Sequence, residues 1–154
     1  MWTESVWEIA RARQSPTKFI VTDEPVTFYN AKVFPLSPKI PYPLDVELSD
    51  VGTRTIFPLS LDACLIITHI QFTRDPWRNP RHTRTNARSF DNTMFDLRSI
   101  QTDHELDEDE VRRINFILKQ RATRYIAAAE EGWLYPEKIA SVTHWSKLDE
   151  DWFL

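Results

Sequence analysis

Glycine is nearly missing from this chain. Only Gly52 and Gly132 occur in 154 residues, where about 7% is ordinary. Loops that cradle phosphate need several glycines, because backbone amides must approach the anion with no Cβ in the way. No P-loop and no dinucleotide fingerprint is present, so a Rossmann-type cofactor enzyme is disfavoured and no cofactor is expected. Cysteine is scarcer still. A lone Cys64 rules out an internal disulfide framework and points to the reducing cytoplasm. Long apolar runs are also lacking. The longest, residues 63–68 (ACLIIT), stops at His69, whereas a membrane-spanning helix needs about 20 such residues. The opening MWTESVWEIARARQ holds no apolar stretch of signal-peptide length. These absences together predict a soluble cytoplasmic protein without membrane contact.

What is present fits one ordinary domain over residues 1–154. Hydrophobic residues make up 42% and charged residues 27% of the chain, enough for a core and too balanced for wholesale disorder. A formal charge of −4 gives no general attraction to nucleic acid or an anionic membrane, although a local patch still can. Tryptophan is abundant, at positions 2, 7, 77, 133, 145 and 152. Such rings either pack loops onto the domain or await a partner at a binding surface.

Along the chain, residues 2–13 fit a helical face or a strand, and Ser15-Pro16 ends the element. Residues 18–22 (KFIVT) read as a strand, Asp23-Glu24-Pro25 as a turn, and residues 26–29 (VTFY) as a second strand. Prolines 35, 38, 41 and 43 exclude a central strand there and favour an extended path. Residues 53–57 and 64–70 are two further strands, separated by PLSLDA, with a short helix expected at 91–97. The clearest element is a helix over about 106–130, on which Val111, Ile114, Leu118, Ala122, Tyr125, Ile126 and Ala129 form one apolar stripe. Asp107 and Glu110 have capping-box spacing, and Gly132 stands where a helix terminator belongs. A last strand is expected at 139–145. The order predicts an α+β fold, a mostly antiparallel sheet with one long amphipathic helix packed on it.

Phe19-Ile20-Val21-Thr22-Asp23-Glu24-Pro25-Val26 resembles the F-[IV]-T-S-D-N-P-V signature of a bacterial family known only as a domain of unknown function. Its members then carry an I-x-F-P-L-S-P-like segment and a hydrophobic strand, similar to Ile56-Phe57-Pro58-Leu59-Ser60 and Leu65-Ile66-Ile67 here. Farther on, an asparagine and an alanine-arginine pair on a helix are similar to Ile114-Asn115 and Arg121-Ala122-Thr123-Arg124-Tyr125. The matched blocks span roughly residues 19–127. Val21, Thr22 and Glu24 replace the usual Thr, Ser and Asn, and the family's helical amino-terminal half, with its His-Tyr-[Val-Pro] opening, is absent. The resemblance therefore covers the carboxy-terminal half alone. A site that needs the other half is either lost here or completed by a partner. The family implies kinship and carries no activity to transfer.

Among chemistry-bearing residues, Asp23 at a strand end suits a general base or metal ligand, and equally suits a turn cap. Asn115 lies beside the apolar stripe, where its amide must bond either a neighbouring backbone or a ligand. Arg124 can hold an anion or simply occupy a solvated helix face. With Arg121 it also suits a helix carboxyl end. Cys64 reads as a small buried hydrophobe, and no nucleophile elbow is present. His69, His82, His104 and His144 form no i, i+4 pair, so no metal site is expected. The acidic residues of 103–110 read as a helix start.

The basic segment is the leading functional signal. Arg74, Arg78, Arg81, His82, Arg84 and Arg88 surround Trp77, with only Asp75 opposing. Arginines beside an aromatic ring suit phosphates and stacked bases. The same segment can instead be a solvated loop or pair with the acidic run. The P-x-x-P pattern in residues 35–41 suits either an aromatic groove of a partner or a covering loop. The sequence thus favours a binding domain that contacts a protein or nucleic acid through Trp77, Arg78, Arg81, Arg84 and Arg88. The alternative is a hydrolase-type enzyme with Asp23, Asn115 and Arg124 in one pocket.

Overall fold

The computed structural model describes residues 5–30, 53–69 and 100–138. The proline stretch, the arginine segment, the helix expected at 91–97 and the strand expected at 139–145 lie outside the described residues. The described part is α+β. It contains the strands β1 (Ser5–Arg11), β2 (Val21–Thr22), β3 (Thr27–Tyr29), β4 (Arg54–Ser60), β5 (Ala63–His69) and β6 (Gln101–Glu105). The helix α1 (Glu108–Arg121) and β7 (Ile126–Ala127) follow, then 3-10 turns at Glu131–Leu134 and Pro136–Lys138.

Five strands make one sheet in the order β3-β4-β5-β1-β6, and β2 pairs with β7 in a separate ribbon. All pairs are antiparallel except β1 with β6. The ambiguous first segment is a strand because it lies between two neighbours, β5 and β6, that satisfy its backbone on both sides. Its register with β5, from Ser5↔His69 to Arg11↔Ala63, puts Glu8 opposite Ile66 and Ala10 opposite Cys64. Those four residues and Ile56 face α1, where Val111, Ile114, Ile117 and Leu118 close the core with Phe19, Ile20 and Leu106. Each of the four helix side chains contributes about 1.5–3 kcal/mol by burial. Trp7, Ile9, Leu65 and Phe57 are half-buried on the opposite face.

Several elements differ from the sequence expectation. The helix stops at Arg121, not near residue 130. Ala122 is already extended (φ −62°, ψ 132°), and its amide closes the helix on the Leu118 and Lys119 carbonyls. The next residues find partners outside the helix, on Asp23 and β2. Tyr125 and Ala129 of the expected stripe are exposed, and Gly132 lies within a 3-10 turn and does not terminate a helix. The strand expected at 18–22 shrinks to Val21–Thr22 because residues 18–20 bond to a helix side chain. β4 runs through Pro58, which pairs with Cys64 beyond the end of β3, where no described strand on that side needs its amide. A two-residue turn, Leu61-Asp62, joins β4 to β5. β6 lies partly in the acidic residues 103–110, which the sequence suggests as a helix start. Its composition, QTDHE, has no apolar alternation, as befits an edge strand protected by charge.

Candidate functional site

Asn115 is fully buried on α1 at 0% exposure. Its Nδ2 donates to the Lys18 carbonyl at 2.8 Å, and its Oδ1 accepts from the Ile20 amide at 3.1 Å. One amide thereby gives segment 18–20 the two hydrogen bonds that a neighbouring strand would otherwise supply. The side chain acts as a tie between α1 and that segment.

Asp23 lies just after β2. Its Oδ1 accepts from the Thr123 amide at 3.1 Å and its Oδ2 from the Thr123 hydroxyl at 2.6 Å. Its own amide reaches the Tyr125 carbonyl at 3.4 Å. The Thr123 hydroxyl is the main reason that the Asp23 carboxyl titrates below its ordinary value. The turn after Asp23 is held by other groups, since the Thr22 and Thr27 hydroxyls both donate to the Glu24 carbonyl. Arg121 donates to the Phe28 carbonyl at 3.0 Å and so joins α1 to β3. Arg124 is exposed and lines a shallow groove of about 270 Å³ with Lys119, Thr123 and Tyr125. Neither Asp23 nor Asn115 lines that groove. The structure therefore brings Asp23 next to Thr123, leaves Arg124 facing solvent, and encloses Asn115 in the core.

A different concavity lies at the other end of α1. Pro16 and Thr17 form one wall, Glu108 and Arg112 a second, and Glu130, Gly132, Trp133 and Pro136 a third, around about 250 Å³. Trp133 is half-buried and rests against the core. The 3-10 segment that carries it is tied to α1 by Lys119, whose Nζ donates to the Leu134 carbonyl at 2.7 Å and pairs with Glu137 at 2.6 Å. One oxygen of Glu108 accepts from both the Thr17 hydroxyl and Arg112. Arg112 also meets Asp109 at 3.7 Å. Glu130 is exposed; its carbonyl accepts from the Trp133 amide at 3.2 Å, while its carboxylate makes no cap hydrogen bond and no ion pair with a described residue. A second depression of about 360 Å³ shares Pro16 and Glu108 and adds Glu105 and Asp107. This lining combines a rigid ring and two prolines with carboxylates. It suits a cation carried on an apolar stem.

Other titratable groups stay within the fold. Glu8, 4% exposed, bonds Nδ1 of His104 across β1 and β6. Burial pushes the Cys64 thiol well above its ordinary pKa, leaving it an unreactive core group. Burial also raises the Glu110 carboxyl above its usual value, against the capping hydrogen bond from the Asp107 amide. Among the described residues, no group of three or more His, Cys, Asp or Glu side chains is placed to hold a metal. Trp77, Arg78, Arg81, Arg84 and Arg88 lie outside the described residues.

The groove around Trp133 was only partly visible in the sequence. Trp133 stands out there by its type, and Glu108 with Arg112 by its i, i+4 spacing, but nothing local brings Pro16 and Thr17 to them. No family model, curated protein or solved structure matches the chain. Among the described residues, no helix is long and apolar enough to cross a membrane.

Proposed function

We propose that the chain is a binding domain that holds a protein or nucleic-acid partner, with the arginine-rich segment of residues 74–88 as a contact surface. The observation that supports a binding role over hydrolysis is the engagement of Asn115 and Asp23. Both polar atoms of the Asn115 amide bond the backbone of residues 18 and 20, and both Asp23 oxygens bond Thr123. Neither group lines the groove that Arg124 lines. The carboxylate, the amide and the cation thus have separate duties. On the arginine segment, Arg78, Arg81, Arg84 and Arg88 supply forked donors for phosphate or carboxylate, and Trp77 a stacking plane. The resemblance of residues 19–26 to the bacterial F-[IV]-T-S-D-N-P-V family, together with the buried thiol of Cys64, supports a bacterial cytoplasmic setting.

The test is titration of a labelled single-stranded oligonucleotide with the wild type and with the triple variant Arg78→Ala, Arg81→Ala, Arg84→Ala. The expected result is binding that weakens steeply as salt rises, with a log–log slope of about −0.7 for each phosphate neutralised, and that disappears in the triple variant. Binding that ignores salt or survives the three substitutions overturns the phosphate contact.

A further inference from the structure

We propose that the groove at Trp133 docks a basic, extended peptide segment of a protein partner, seating an arginine or lysine side chain between the indole and the carboxylates of Glu108 and Glu130. This site is built from residues 14–17, 105–112 and 130–136 and is opposite in charge to the arginine segment, so the proposal does not depend on the binding role assigned to residues 74–88. Three features of the groove carry the proposal. Trp133 is held against the core and its segment is fastened to α1 by Lys119, so the ring is fixed before a ligand arrives and little freedom is lost on binding. Among the described residues, Arg112 is the one cation in either lining, held by Glu108 and Asp109, and Arg13 pairs with Glu105 at 3.7 Å, so these two cations face the four carboxylates Glu105, Asp107, Glu108 and Glu130. The Glu130 carboxylate, exposed in the lining, has no ion-pair partner among the described residues. The excess charge is therefore negative, which favours a cationic side chain and repels phosphate. An extended occupant fits because the two depressions, about 250 and 360 Å³, are neighbours with Pro16 and Glu108 in the lining of both. A long side chain can lay its apolar stem on Trp133 while its charged head meets the carboxylates.

Anisotropy titration with two short fluorescein-labelled peptides tests this, one alternating arginine with alanine and the other alternating glutamate with alanine. The arginine peptide should bind and the glutamate peptide should not. Glu130→Gln should weaken the arginine peptide about threefold, as expected of one solvent-exposed ion pair. Gly132→Leu should abolish binding by filling the groove. The first carbon of the new side chain meets nothing within 4 Å among the described residues, so the variant should stay folded, which its unfolding midpoint checks. The triple arginine variant should bind the peptide like wild type, so failure of the groove and failure of the arginine segment are read separately. No binding of the arginine peptide, or equal binding by the wild type and both groove variants, overturns the proposal. So does displacement of the peptide by an oligonucleotide in the triple variant, or a wild-type dimer that Gly132→Leu makes monomeric.

Discussion

An aspartate holds each end of α1, but the two work over very different distances along the chain. At the amino end Asp107 accepts from the Glu110 amide at 2.8 Å, while Glu110 returns a bond to the Asp107 amide at 2.7 Å. At the carboxyl end Asp23 takes both donors of Thr123 from 100 residues away. The first is a reciprocal cap made within one turn, so its spacing alone announces it. The second depends on Asp23 being delivered to that place, which Asn115 helps to do by fastening residues 18–20 to the helix. A helix start can thus be local while its stop belongs to the tertiary structure. The chain beyond Arg121 is apolar enough to extend the stripe, yet Thr123 and Ile126 bond to β2 and Asp23.

The largest expected break of this comparison is Asn115→Ala. It strands the buried Ile20 amide and the half-buried Lys18 carbonyl and should destabilise the fold by about 3 kcal/mol, read from urea unfolding midpoints. A loss well under 1 kcal/mol would show that packing, and not the amide, positions this segment. Asp107→Ala comes next, at about 1 kcal/mol for a lost helix cap. If this substitution cost more than Asn115→Ala, the local end and not the tertiary tie would dominate. Asp23→Asn is the finest test, because it removes charge while keeping an acceptor for the Thr123 amide. The folded protein holds the Asp23 carboxyl below its ordinary value of 3.8, so between those two pH values the unfolded state binds more protons. The carboxylate's contribution is therefore complete above the ordinary value and is lost as pH falls through the lowered one. Wild type should exceed the variant in stability at neutral pH and converge with it in acid. Parallel curves for the two proteins would exclude a charge effect at the seam.

The parts legible in the sequence share one property, which is that their partners are close by. The stripe Val111, Ile114, Leu118 and the apolar run of β5 repeat at the spacing of their own element, and β5 and the first part of α1 stand where that spacing put them. The expected strand at 26–29 survives as β3, shortened by one residue. β6 was invisible because QTDHE carries no strand signal, and its pairing with β1 comes from a segment some ninety positions earlier. The groove shows the same division. Its tryptophan could be noticed, but its walls come from residues 16–17, 108–112 and 130–136, and no periodicity links those three.

By itself the sequence determined the α+β class, the start of α1, the burial of Cys64 and the lack of phosphate-cradling loops. Each of these follows from composition or from contacts within a few residues. Only the tertiary structure decided where α1 ends, that Asn115 ties the core together, and that Asp23 belongs to Thr123. It also decided that Trp133 faces Glu108 and Pro16 across a groove. In each case a side chain or a backbone group had more than one way to satisfy its hydrogen bonds or bury its surface. The choice went to whichever distant segment the packed core brought within reach.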